Sequence, residues 1–179
     1  MKKQTLQILT ITGILGTLIS TSMQAATCQN LIIAITSGRG SVQDLLDKGV
    51  DPNCQRNTYT PLMMAAMSGK DAVAQLLINY GAKVDTKNLF NDTALTIAAD
   101  RDYPKVVHLL ILNGANVDLQ GHAGNTALMS AISQGSINTA RLLMHASADL
   151  DIPNSLGITP QIWLDANPTL KGQILRDPS

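Results

Sequence analysis

Four threonines, Thr60, Thr93, Thr126 and Thr159, follow one another at a constant step of 33 residues. Other positions keep that step. Ala65-Ala66 matches Ala98-Ala99, and Leu76-Leu77-Ile78 matches Leu109-Leu110-Ile111 and Leu142-Leu143-Met144. Gly81-Ala82 matches Gly114-Ala115, and Val84-Asp85 matches Val117-Asp118. Self-similarity at a fixed period of roughly 20–50 residues marks an array of supersecondary units, none of which buries its apolar face alone. The period therefore excludes most single-core folds.

One unit can be read from Thr60 to Asp85. The Thr60 hydroxyl suits a helix N-cap and Pro61 the first helical position. Leu62, Ala65 and Ala66 fall on one face at helical spacing, and the alanines allow a neighbouring helix to approach closely. Gly69 ends this short helix. A second helix starts near Asp71 with Val73, Leu76 and Leu77 on its apolar side, and Gly81 ends it in a left-handed conformation. Polar turn residues then lead to the next threonine. Stacked copies complete a shared core. Hydrophobic residues make up 45% of the chain and aromatic ones 3%, so that core must be aliphatic.

These residues resemble the ankyrin repeat, with its early Thr-Pro-Leu-His, its Ala-Ala, its later leucines and its closing Gly-Ala-Asp-Val-Asn. The resemblance implies an all-α solenoid of helix-turn-helix units with protruding β-hairpin-like loops. It divides the chain into an N-terminal cap repeat at 27–56, full repeats at 57–89, 90–122 and 123–155, and a C-terminal cap at 156–179. The first cap carries Leu31-Ile32-Ile33-Ala34, Leu45-Leu46 and Gly49-Val50-Asp51-Pro52-Asn53. The last keeps Gly157 and Thr159-Pro160 but loses the leucines, and Trp163 with Leu164 is expected to seal the core.

The chain departs from the motif at three kinds of position. The motif histidine is absent, with Met63, Thr96, Met129 and Ile162 in its place, so its hydrogen bonds must be replaced or lost. Asp102 stands where Gly69 and Gly135 stand, and aspartate tolerates a left-handed conformation better than most residues. Ser147 replaces the helix-ending Gly81 and Gly114 and should strain its unit.

Residues 1–26 read as a secretory signal peptide. Lys2 and Lys3 precede an apolar stretch from Leu6 to Ile19, and a small polar tail runs from Ser20 to Ala26. The stretch is short for a membrane span, which needs about 20 apolar residues. Neither cut, after Ala25 or after Ala26, has a small residue three positions upstream, and an uncleaved anchor is the rival reading. Ala25-Ala26-Thr27 before Cys28 fits a lipobox poorly. Losing two lysines from 13 basic residues leaves 11 against 13 acids, all aspartates, a net charge of −2 for the mature chain. No basic stripe supports nucleic-acid binding. Cys28 and Cys54 can join in an oxidising compartment. A bridge would pin the first helix to the loop after its repeat. The alternative, a redox pair or metal site, lacks a histidine nearby in sequence.

Catalysis needs convergent nucleophiles, acids and bases. By register His108 lies on the polar side of a second helix, His145 at an outer helix edge and His122 at a loop tip, so the three do not converge. No phosphate loop or Gly-x-Ser-x-Gly turn occurs. Met63, Met64, Met67 and Met129 could bind soft copper, but core filling is commoner. No enzyme activity, cofactor or metal is expected.

By resemblance, loop tips and the outer residues of the first helices line a concave binding face. The tips supply Arg56 and Tyr59, then Lys87, Leu89, Phe90 and Asp92, then Gln120 and His122, then Asn154. The helices supply Met67, Asp100, Arg101 and Gln134. Leu89 and Phe90 are apolar where a solvated loop should be polar, and they either anchor a partner or fold back onto neighbouring tips. Aromatic and arginine anchors carry much interface energy, which singles out Tyr59, Phe90, Arg56 and Arg101. The leading expectation is a monomeric, non-catalytic adaptor or scaffold in the bacterial periplasm that holds a protein partner, without membrane contact once the signal is removed. Some periplasmic proteins of this family accompany oxidative-stress enzymes. The alternatives are an immunity or inhibitor protein that blocks a toxin or hydrolase there, a small enzyme or metal carrier, and a secreted protein acting on host proteins.

Overall fold

The computed structural model describes residues 28–176, so the expected signal, residues 1–26, lies outside the described residues. The helices form pairs. The first is α1, residues 28–37, with α2, Val42–Asp47. Then come α3, Pro61–Met67, with α4, Asp71–Asn79, and α5, Ala94–Asp100, with α6, Pro104–Leu112. A 3-10 turn at His122–Gly124 precedes α7, Ala127–Ser133, with α8, Ile137–His145. The last pair is α9, Pro160–Ala166, with α10, Pro168–Leu175. The first helices α3, α5, α7 and α9 stack in one layer and the second helices α4, α6, α8 and α10 in another. The fold is an all-α repeat array. Among the described residues backbone bridge pairing of the hairpin kind occurs at one loop, between Arg56 and Tyr59.

The repeated threonines start the first helices. Thr60, Thr93, Thr126 and Thr159 each accept, through the side-chain hydroxyl, the backbone N–H three residues on, at 3.2, 3.2, 3.4 and 3.2 Å. Each such cap contributes about 1 kcal/mol. The bonds of the missing motif histidine are partly replaced. Thr96 Oγ1 accepts the Thr93 N–H at 2.9 Å and donates to the Thr93 carbonyl at 3.0 Å. Met63 Sδ accepts the Thr60 N–H at 3.5 Å, a weaker substitute.

Between the layers lie the aligned leucines Leu77, Leu110 and Leu143, with no exposed surface, and the paired alanines Ala65-Ala66 and Ala98-Ala99. Met63 and Met129 are buried with them, which makes these two methionines core. Gly69 has φ +65°, and the ring of Tyr103 lies over it so closely that a Cβ there would stand 2.7 Å from the ring. Asp102 and Ser147 take the left-handed conformation of the glycines they replace, at φ 53° and 62°.

The two ends depart from the strict period. Gly49 is 11 residues before Thr60, whereas Gly81 and Gly114 are 12 before Thr93 and Thr126, so the first loop is one residue shorter. That loop closes as a tight hairpin in which Arg56 and Tyr59 exchange both backbone hydrogen bonds at 3.0 Å. At the other end Asn167 alone separates α9 from α10, where three residues, 134–136, separate α7 from α8. The two-residue deletion moves the next apolar position forward, and Ile174 takes the place of Leu143 in the last layer. From the sequence, Trp163 and Leu164 are expected to seal this end. Leu164 is buried and Trp163 half-buried, but a complete second helix finishes the array. Arg141 fastens that helix, with Nε and Nη2 donating to the carbonyls of Ile174 and Gln173 at 3.1 and 2.5 Å.

Cys28 and Cys54 are joined in a disulfide, with Cα atoms 6.0 Å apart. The bridge ties the buried start of α1 to the segment after the turn that closes the first unit.

Candidate functional site

A depression of about 280 Å³ opens between the loop tips and the first helices. Tyr59 from the first hairpin and Met67 from the end of α3 form one wall. Thr96, Ile97 and Asp100 of α5, with Arg101 after it, form the floor and one rim. Asp92, His122 and Asn125 from the next loops, with Ser130 of α7, close the other side. Six of the residues that register places at tips and helix ends, Tyr59, Met67, Asp92, Asp100, Arg101 and His122, come together here. Thr96, Ile97 and Ser130 also line it and are not among the residues expected from sequence. The period does show that the first two lie on α5, but their direction toward the loops depends on the pitch of the stacked helices.

The site is neither a catalytic constellation nor a greasy slot. Asp92 Oδ1 accepts the His122 backbone N–H at 2.7 Å, which fixes the height of the third tip against the second. Asp100 Oδ1 accepts from Gln134 Nε2 at 3.2 Å, and its other oxygen lies 4.0 Å from Arg101 Nε. Arg101 and Asp100 remain about half exposed, so this pair is a weak, solvated one. The three histidines lie apart: His122 in the depression, His145 in a recess beside Arg141 and Ile174, and His108 exposed on α6. Among the described residues no group of three or more His, Cys, Asp or Glu is placed to hold a metal ion.

Beside the depression rises an apolar rim. Leu89 is 80% exposed, Phe90 54% and Leu156 80%. Leu89 does not fold back. Phe90 leans on the next tip, its ring edge-to-face with His122 at 6.1 Å between centroids, yet keeps half its surface in solvent. Arg56 is exposed on the first hairpin.

Three of the marked polar residues are spent within the protein. Lys87 Nζ donates to the Gln120 carbonyl at 3.0 Å, and Gln120 Nε2 donates to the carbonyls of Gly124 and Pro153 at 2.8 and 2.9 Å. Asn154 is 9% exposed. Its Oδ1 accepts from Leu156 and Ile158 N–H at 3.0 and 3.1 Å, and its Nδ2 donates to Asn125 Oδ1 at 2.9 Å. Asn154 therefore closes its own loop. An asparagine at a tip gives the same sequence signal whether it closes its loop or meets a partner. Asn88 does the same two repeats earlier, accepting from Phe90 and Asp92 N–H at 2.8 and 2.9 Å. Among the described residues its buried Nδ2 has no partner, and register puts Tyr59 where Asn125 stands.

The comparisons with known proteins agree with this geometry. The family description "Ankyrin repeats (3 copies)" matches residues 31–121 and 82–154, well over half of the chain. The chain belongs to the ankyrin repeat family. A similar protein is dauer abnormal formation protein 25 of Caenorhabditis elegans, 36% identical over 74 residues, which cover 38% of this chain and 19% of that protein. The chain thus matches about a fifth of that relative's length. Ankyrin repeats are in general non-catalytic protein–protein interaction modules. Among the described residues no helix is long and apolar enough to cross a membrane.

Proposed function

We propose that this protein is an adaptor exported to the bacterial periplasm, where it holds one folded protein partner against the depression and its apolar rim. Export is inferred from Lys2-Lys3, the apolar Leu6–Ile19 stretch and the small-residue tail that follows. A disulfide in a chain of this size fits an oxidising compartment. The observation that carries the binding reading is the joint placement of Tyr59, Met67, Asp100 and Arg101 around one depression, with Leu89 and Phe90 exposed beside it. Rigid stacked helices present that surface with little ordering cost on association. Arg56, Asp92, His122 and Gln134 frame it, and the protein acts as a monomer.

The test is capture from a periplasmic extract of the native organism with the wild-type chain and with Leu89→Ala/Phe90→Ala. Recovery of one protein by the wild type and its loss with the variant, at equal melting temperature, supports the reading. Equal recovery by both removes the rim from the binding surface. If the captured protein is a hydrolase or toxin silenced at one-to-one stoichiometry, the immunity or inhibitor role replaces the adaptor role at the same surface.

A further inference from the structure

The N-terminal unit is held differently from the rest. Its second helix, α2, has six residues and buries only Leu46, so the unit's packing rests mainly on Leu31, Ile32, Ala34 and Ile35 of α1. Among the described residues it has a neighbouring unit on one side, and so one inter-unit interface where inner units have two. Its polar ties to the second unit are few. Lys70 Nζ donates to the Ile35 carbonyl at 2.5 Å, and Asn53 bonds the Gly81 carbonyl and the Lys83 N–H at 2.9 and 2.7 Å. Tyr80 meets Asp47 and Gln43 at the exposed edge. The bridge spans 26 residues, encloses both α1 and α2 and adds a covalent tie within this unit.

We infer that the Cys28–Cys54 bridge is a redox latch: a dithiol reductant opens it, and residues 28–54 then detach while the array from α3 to α10 stays folded. Cys54 is the more exposed partner, with Cys28 at 6%. A reductant thiolate attacks Cys54 Sγ, and the sulfur–sulfur bond breaks with its electron pair leaving on Cys28 Sγ, which takes a proton from water. The second reductant thiol displaces Cys54 as a thiolate, which is protonated in turn. The reductant leaves as a disulfide, so two electrons and two protons have passed to the protein. Without the cross-link the unit loses its loop-closure advantage, on the order of a hundredfold or more in its local folding equilibrium. Opening frees the strand into the Arg56–Tyr59 hairpin and so loosens the Tyr59 wall of the depression. That last consequence rests on the binding reading above, whereas detachment of the unit does not.

Hydrogen exchange read by mass spectrometry tests the latch on the oxidised protein, the protein in excess dithiothreitol, and Cys28→Ser/Cys54→Ser. Trp163, in the unit at the far end, reports the rest of the array by its fluorescence. The expected result is exchange in 28–54 faster by roughly a hundredfold in the reduced and double-serine proteins, with α3 to α10 still protected and Trp163 emission unchanged. Unchanged protection of 28–54 overturns the inference. So does loss of protection along the whole chain with a red-shifted Trp163, or failure of the double-serine protein to fold. A partner that binds both redox forms equally would count against the Tyr59 consequence alone.

Discussion

The Thr139 hydroxyl donates to Asp102 Oδ1 at 2.7 Å, tying the turn after α5 to the buried first turn of α8. Asp102 therefore does more than tolerate a left-handed backbone. It supplies a link between units that a glycine cannot. Asp102→Gly relieves φ 53° but leaves a fully buried hydroxyl without this acceptor. The lost partner outweighs the relief, and stability should fall by about 1 kcal/mol in urea titration. Adding Thr139→Val should return most of it. A gain in stability for Asp102→Gly alone would show that the bond contributes nothing.

Ser147 has the opposite balance. It is exposed at φ 62°, where Gly81 and Gly114 hold φ 84° and 80°. Ser147→Gly should stabilise by about 1 kcal/mol and raise the melting temperature by about 2–4 °C in a calorimetric scan. An unchanged or lower transition contradicts the strain assigned to this position.

The deletion between α9 and α10 makes neighbouring residues unequal. Ile174 is 4% exposed and Leu175 56%. Ile174→Ala should cost about 2–4 kcal/mol and loosen the unit around Trp163, whereas Leu175→Ala should stay within about 0.5 kcal/mol. Equal effects in equilibrium unfolding would mean that the register of α10 is wrong.

Asp165 also joins the last two helices. Gln161 and Lys171 both donate to its carboxylate, Lys171 Nζ at 2.6 Å, and these bonds hold the carboxyl below its ordinary range. A depressed folded-state value gives stability that is whole above the unfolded carboxylate range and lost as pH falls through the folded value. The pair is solvated, so its effect is small. Asp165→Asn should lower the melting temperature slightly at pH 7 and leave it unchanged near pH 2. The same decrease at both pH values would point to packing rather than charge.

Much of this fold is legible in the chain itself. The threonine step announces the caps at 60, 93, 126 and 159, and the aligned leucines announce the buried stripe. What escapes a strict period is change of length. The shortened first loop and the deletion before Pro168 shift register, so Ile174 falls at a position where counting by 33 finds no leucine partner. The site was legible in part for a related reason. Register identifies which residues sit at tips and helix ends, and six of them meet in the depression. It does not distinguish a tip asparagine that closes its own loop, such as Asn154, from one offered to a partner. Nor does it reveal that Lys87 and Gln120 stitch successive tips together.

The binding role of the depression and its rim is tested most directly by titrating the captured partner into the wild-type protein, Phe90→Ala and Arg101→Ala by calorimetry. Both side chains are exposed, so both variants should melt with the wild type. Affinity should fall about tenfold or more for each, as truncation of an interface anchor does. Affinities indistinguishable from the wild type in both variants would contradict the assignment of this surface.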